Sequence, residues 1–320
     1  MLITRRAALG ATLAIPALAT AQEVFPNRPV NVVVPWGPGG PTDTFARVLT
    51  TRLATDLGQP FVVDNRVGAN GTIGLAYAAR LAPNGYNVVV LPNSTYAAAP
   101  HLYNLGFDVG QAFAGVGLLV SMPMFMLVHR DSPVNSVADY VALVRRGGQH
   151  SYANASVGAT SHLATEQFLQ AANISVLEVG YRGGGPAVQA VIQREVGMVF
   201  MPAASVMGFI RSGELKAIGV CQPQRSPLAP QIPTFAEQGF PQVGVEEHVA
   251  MLAPAGTPEP ILRRLNEACT AALRAPELAP RLEALAVTPQ GQPLAAWGEY
   301  LAAENAKLRD IIRSRNIRFT

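Results

Sequence analysis

The chain has 320 residues, 49% hydrophobic and 14% charged, with a formal net charge of +3. This is enough apolar material for a large core, and the length suits two domains of ordinary size. Near-neutral charge without a basic run gives no footprint for nucleic acid or an anionic membrane surface.

The first elements are export signals. Thr4-Arg5-Arg6 precedes an apolar stretch from Ala7 to Leu18 and the small residues Ala19-Thr20-Ala21, the layout of a secretory signal peptide cleaved after Ala21. The apolar stretch is too short to span a bilayer. The arginine pair fits twin-arginine export and ordinary secretion equally. Cleavage removes two arginines and no acids, leaving a charge of +1.

Val30–Val34 then reads as a buried strand. It leads into Pro35-Trp36-Gly37-Pro38-Gly39-Gly40-Pro41-Thr42-Asp43 and an amphipathic helix ending near Gly58. Strand, Gly-rich turn and helix start together aim backbone N–H groups at an anion. The loop lacks the lysine of a P-loop and the spacing of a dinucleotide fingerprint, so a carboxylate fits better than a nucleotide. Phe61–Val63 is a short strand, Gly68–Gly74 a turn into a small-residue helix, and Asn87–Leu91 a buried strand ending at Asn93-Ser94-Thr95. Two apolar stretches, Val116–Val120 and Met124–Val128, flank Ser121-Met122-Pro123.

A second series follows. Ser136–Arg146 reads as a helix, Ser151–Ala155 as a strand, and Ser156–His162 as a polar turn into another helix. Val176–Val179, Val196–Phe200 and Leu215–Val220 are strands, and Tyr181-Arg182-Gly183-Gly184-Gly185-Pro186 opens a helix. Pro223–Pro233 is irregular and Val243–Leu252 is a returning strand. Thr257-Pro258 starts a helix with Thr257 as N-cap, and helices fill the remainder. Alternating strands and helices give an α/β chain with parallel-rich sheets. Crossings near residues 123 and 243 divide it into lobe 1, residues 22–123 with 243–320, and lobe 2, residues 124–242. The glycine- and serine-rich turns lie at carboxyl ends of strands, where open α/β sheets bind ligands.

The bland readings of these turns stand beside the binding ones. Gly39 and Gly40 also suit a plain tight turn. Thr42 also reads as an N-cap, and Asp43 as a helix-dipole partner or a contact for a ligand ammonium or hydroxyl. Ser156, Thr160 and Ser161 also read as caps. Trp36 suits the cleft or packing beneath the loop, Tyr181 packing or a cover over a ligand, and Asn93, Ser94 and Thr95 a pocket wall. Arg182 reads as a surface charge and His162 as a structural histidine. Cys221 and Cys269 read as free buried thiols, and no Cys/His cluster has metal-site spacing.

Taken in order, these segments resemble the substrate-binding proteins of tripartite tricarboxylate transporters, the Bug or TctC family. The likeness runs from Arg28-Pro29-Val30 and the Pro35–Asp43 loop through Leu57-Gly58-Gln59-Pro60, Asn65-Arg66, Gly68–Gly74 and Pro83-Asn84-Gly85-Tyr86. It continues with Gly158–His162, Tyr181–Pro186, Arg225-Ser226-Pro227, Ile232–Gly239 and Ala253–Pro258. The resemblance implies a periplasmic, Venus-flytrap receptor of the type II-like binding-protein fold. It would capture a dicarboxylate, tricarboxylate, amino acid or aromatic acid and deliver it to membrane transporter subunits, as a monomer without cofactor or metal. It further implies carboxylate contacts from Pro38, Gly39, Gly40, Thr42 and Asp43, and from Ser156, Gly158, Thr160 and Ser161. Trp36, Asn93, Ser94, Thr95, Tyr181 and Gly183 complete the expected wall. Arg194-Glu195-Val196-Gly197 departs from the family's Gly-x-Val-Asp, His248 stands where the family has Trp, and Met201 makes the wall more apolar.

Enzymes are disfavoured, because a Gly-x-Ser-x-Gly elbow and a metal-ligand cluster are both missing from the sequence. A sensory module that presents a bound carboxylate to a signalling receptor shares the same pocket and remains the alternative.

Overall fold

The computed structural model describes residues 25–318. The proposed signal peptide lies outside them. Runs of β-branched residues make the strands. Val30, Val32, Val33 and Val34 are fully buried, as befits a strand covered on both faces.

In chain order the first part gives β1 (Val30–Val34), α1 (Pro41–Leu57), β2 (Phe61–Asn65), α2 (Thr72–Ala78), β3 (Asn87–Pro92), α3 (Val109–Ala112) and β4 (Phe113–Met122). The second gives β5 (Met124–His129), α4 (Val137–Arg145), β6 (Ser151–Asn154), α5 (Thr160–Ala172), β7 (Leu177–Gly180), α6 (Gly184–Ile192), β8 (Met198–Pro202), α7 (Ala203–Arg211) and β9 (Leu215–Val220). The chain then returns through β10 (Glu247–Pro254), α8 (Glu259–Arg274), α9 (Ala279–Ala284), β11 (Thr288–Pro289) and α10 (Trp297–Ser314).

Two sheets form, ordered β11-β4-β10-β3-β1-β2 and β7-β6-β8-β5-β9. Each sheet with its helices makes one lobe. The expectation of parallel-rich sheets is corrected, since both are mixed. β1 with β2 and β3, and β6 with β7 and β8, pair in parallel. The pairings of β4, β5 and β10 are all antiparallel. These are the strands adjoining the crossings. A strand that carries the chain out of or into a lobe runs against those built by βα units.

Other details also differ. The returning strand begins at Glu247, with Val243 and Val245 buried ahead of it. Thr257 is not the N-cap of α8. Its hydroxyl donates to the Pro254 carbonyl at 2.8 Å, and Pro258 precedes the helix. Pro289 lies between α9 and α10, in the short edge strand β11. Both cysteines are buried and unbridged.

One hydrophobic cluster fills most of each lobe, with Ala286 and Ala204 reaching across, and a third runs through both, from Val33 and Tyr96 to Phe168 and Phe200. The last helix, α10, ties this shared core together. Trp297 at its start packs 5.6 Å from the Tyr96 ring and lies on β4 at Gly115, where a Cβ would come within 2.1 Å of the indole. Just past its other end, Arg315 donates to Glu166 of α5 at 2.6 Å.

Candidate functional site

Four helices start at one interlobe cavity. β1 leads to α1, β6 to α5, β7 to α6 and β8 to α7, so strand carboxyl ends from both sheets deliver the chain there. The cavity encloses about 470 Å³. Trp36, Gly37, Pro38, Gly40, Pro41 and Thr42 form the α1 wall, and Ala155, Ser156, Ala159 and Ser161 the α5 wall. Arg182, Gly183 and Gly184 stand at α6, and Met201, Pro202 and Ser205 at α7. Pro92, Ser94 and Glu247 close the first-lobe side.

The residues preceding these helices, Gly40, Ala159, Gly183 and Pro202, provide no side-chain cap. The first-turn amides of Thr42, Thr160, Ser161 and Gly184 find no acceptor among the described residues. A helix start carries about half a positive elementary charge on such amides. Four helix starts around one cavity form an arrangement suited to an anion.

Nine residues anticipated from sequence line this cavity: Trp36, Pro38, Gly40, Thr42, Ser94, Ser156, Ser161, Gly183 and Met201. Others stand behind it. Thr95 supports Trp36, accepting from its indole Nε1 at 3.0 Å and donating to the Asn70 carbonyl at 3.1 Å. Asn93 is a knot between the lobes. Its Nδ2 donates to Glu304 at 2.7 Å and to the Glu246 carbonyl at 2.9 Å, while its Oδ1 accepts from Thr160 at 3.1 Å. Gly158 abuts the first lobe at Leu102, whose Cδ1 would lie 2.2 Å from an added Cβ. Tyr181 donates to Glu195 at 3.3 Å and takes no part in the lining.

Asp43 faces the loop rather than a ligand. Its carboxylate accepts from the Gly39 amide and Arg47 Nε at 2.9 Å and from Asn65 Nδ2 at 2.8 Å. Asn65 also donates to the Trp36 carbonyl at 2.9 Å. Burial alone would raise this carboxyl, but the Arg47 hydrogen bond, the Gly39 and Asn65 amides and the Arg47 charge together hold it below the usual carboxylate range. Asp43 and Gly39 thus fix the loop's shape, and Thr42, the second helical residue, is not the cap. Likewise none of Ser156, Thr160 and Ser161 caps α5. Asp43→Ala is expected to cost about 2 kcal/mol, because it orphans buried donors. Chemical denaturation of the variant measures this, and a cost near zero would contradict the role.

Behind the α5 loop, His162 Nδ1 accepts from the Gly158 amide at 3.1 Å. Its other nitrogen lies 3.7 Å from Glu178 and 4.0 Å from Glu166, a trio the sequence spacing did not reveal. Tyr152, Asn154 and Arg315 already donate to those two carboxylates, so the trio reads as a structural network. Burial holds the imidazole below its ordinary pKa.

His248, at the start of β10, meets the Tyr300 hydroxyl at 2.8 Å. Burial lowers its pKa from 6.5 to about 4, against the pull of Glu304 3.9 Å away. Between those two values the unfolded chain binds a proton that the folded chain refuses, so stability falls as pH drops. The loss reaches about 3 kcal/mol near pH 4. Other carboxyls titrate there too. The measurement is therefore the difference between wild type and His248→Gln in urea from pH 7 to 4, and parallel curves would refute the assignment.

Sequence reasoning missed Glu247, Ser205 and the α7 helix start, and set Arg182 on the open surface. The Gly-rich turns carried a local signal, whereas these residues join the cavity only through lobe packing.

Comparison with known proteins agrees with this architecture. Residues 45–317 match the model of the tripartite tricarboxylate transporter family receptor. The structure of the periplasmic binding protein BugD is similar, with 31% identity, 92% of this chain and 99% of that one covered, and a TM-score of 0.81. A Rhodopseudomonas palustris protein solved with adipate is 28% identical, over 92% of this chain and 99% of its own, at a TM-score of 0.85. MatC from Rhodopseudomonas palustris, solved with bound malate, is 31% identical over 90% of this chain and 100% of its own, at a TM-score of 0.80.

Proposed function

Because this chain belongs to the tripartite tricarboxylate transporter receptor family, we propose that it is a periplasmic receptor that captures a small organic carboxylate between its lobes and passes it to membrane transporter subunits. One observation carries the reading: uncapped starts of α1 from one lobe and of α5, α6 and α7 from the other surround a single cavity. The relatives that hold malate and adipate support a carboxylate as the anion.

The amides of Thr42, Thr160, Ser161 and Gly184 grip the carboxylate, aided by the hydroxyls of Thr42, Ser156 and Ser161. Backbone amides are fixed dipoles, need no proton and lose little freedom on binding. The lobes divide at residues 123 and 243, and hinge motion there brings the two sets of amides onto opposite sides of the ligand. Arg182 adds a cation at the mouth. Such a site binds without turnover, as a receptor requires. Residues 1–21 direct export and are removed, and the mature chain acts as a monomer.

The test is a thermal-shift screen of the mature protein against mono-, di- and tricarboxylates, matched amines and neutral amides. The expected outcome is a raised melting temperature with one or a few carboxylates and none with their amides. A screen in which only amines or amides stabilise would overturn the reading.

A further inference from the structure

The cavity ringed by helix starts also contains an acid. Glu247, the first residue of β10, is the one carboxylate among the described residues that line it. It is also unlike its neighbours. Glu246 accepts from Gln222 at 3.1 Å, Glu304 from Asn93 at 2.7 Å and Lys307 at 3.0 Å, and Asp43 from three donors. No described residue donates to or pairs with the Glu247 side chain. Burial pushes its carboxyl up to about 7, and no partner pulls it back.

A half-buried acid facing a ligand cavity loses its solvent donors when a ligand fills the cavity, at a cost to binding unless the ligand supplies a donor in their place. A plain carboxylate offers none, and near neutral pH its charge opposes that of Glu247. An acid that also carries an ammonium or hydroxyl satisfies both halves of the site. Its carboxylate meets the helix starts and its donor meets Glu247. Resting on the receptor reading above, we propose that Glu247 is a specificity-determining residue that accepts a hydrogen bond from the ligand, so that the protein prefers amino or hydroxy acids to unsubstituted acids of the same skeleton.

Calorimetry on matched series tests this. Suitable trios are succinate, malate and aspartate; glutarate, 2-hydroxyglutarate and glutamate; adipate, 2-hydroxyadipate and 2-aminoadipate; and phenylacetate, mandelate and phenylglycine. In any series that binds, a substituted member should bind at least tenfold more tightly than its parent. With an amino acid as ligand, Glu247→Gln abolishes the preference, because the charge is gone. With a hydroxy acid, Glu247→Gln keeps part of it and Glu247→Ala abolishes it. Circular dichroism melts confirm that both variants fold, as expected when an unpartnered acid is removed. A parent acid that binds as tightly as its substituted forms, or a preference untouched in both variants, overturns this inference and leaves the receptor reading intact. Failure of every mono-, di- and tricarboxylate to bind overturns the receptor reading and this inference with it.

Discussion

Gly40→Val should lower carboxylate affinity at least a hundredfold in a protein that still folds. Gly40 has φ −71° and ψ 165°, an extended conformation that a β-branched residue adopts freely. An added Cβ there meets only the Gly37 carbonyl oxygen, at 3.3 Å. The fold therefore tolerates the change with a small local adjustment. Gly40 lines the cavity beside the first-turn amides of α1, so an isopropyl group there is expected to crowd the anion position. A hydrogen bond to a charged group contributes about 1.5–3 kcal/mol. Losing two such bonds weakens binding by roughly 3 kcal/mol, or about a hundredfold. Calorimetry with the acid that gives the largest thermal shift measures it. Unchanged affinity in the folded variant would show that the first loop does not hold the ligand.

Phe168→Ala should cost about 4 kcal/mol of stability, within the range for emptying a large aromatic site. Phe168 is fully buried in α5. Its ring lies 5.5–6.1 Å from Tyr140, Phe200, Phe235 and Phe240. These four rings come from α4, β8 and the segment between β9 and β10, so no single movement can fill the void. The same helix presents Ser161 to the cavity, and loosening its core blurs the position of the first-turn amides. Urea unfolding reads the loss from the midpoint at constant slope. A cost below about 1 kcal/mol would mean that the cluster collapses around the deletion, contrary to rigid packing. Phe168→Leu, which retains most of the volume, should fall well short of the alanine cost.

Much of this was legible locally. The valine run of β1, the glycines that follow it and Pro41 at the helix start announce a turn with exposed amides. The polar turn before α5 and the glycines before α6 do the same. What local pattern did not disclose depends on distant partners. Asp43 looks in sequence like a free acid beside an anion loop, and only Asn65, twenty-two positions on, shows that its oxygens are already committed. Thr160 looks like a cap, yet its hydroxyl reaches across to Asn93. Glu247 opens an ordinary apolar strand with no motif around it. The antiparallel pairings of β4, β5 and β10 follow from where the chain crosses between lobes, and hydropathy carries no sign of strand direction.

A crystal structure of the mature protein with its tightest acid tests directly where the ligand's charge sits. It should show carboxylate oxygens within hydrogen-bond distance of amides at the start of α1 and of at least one of α5, α6 and α7. A carboxylate bound outside the gap, or held by side chains of one lobe alone, would contradict it.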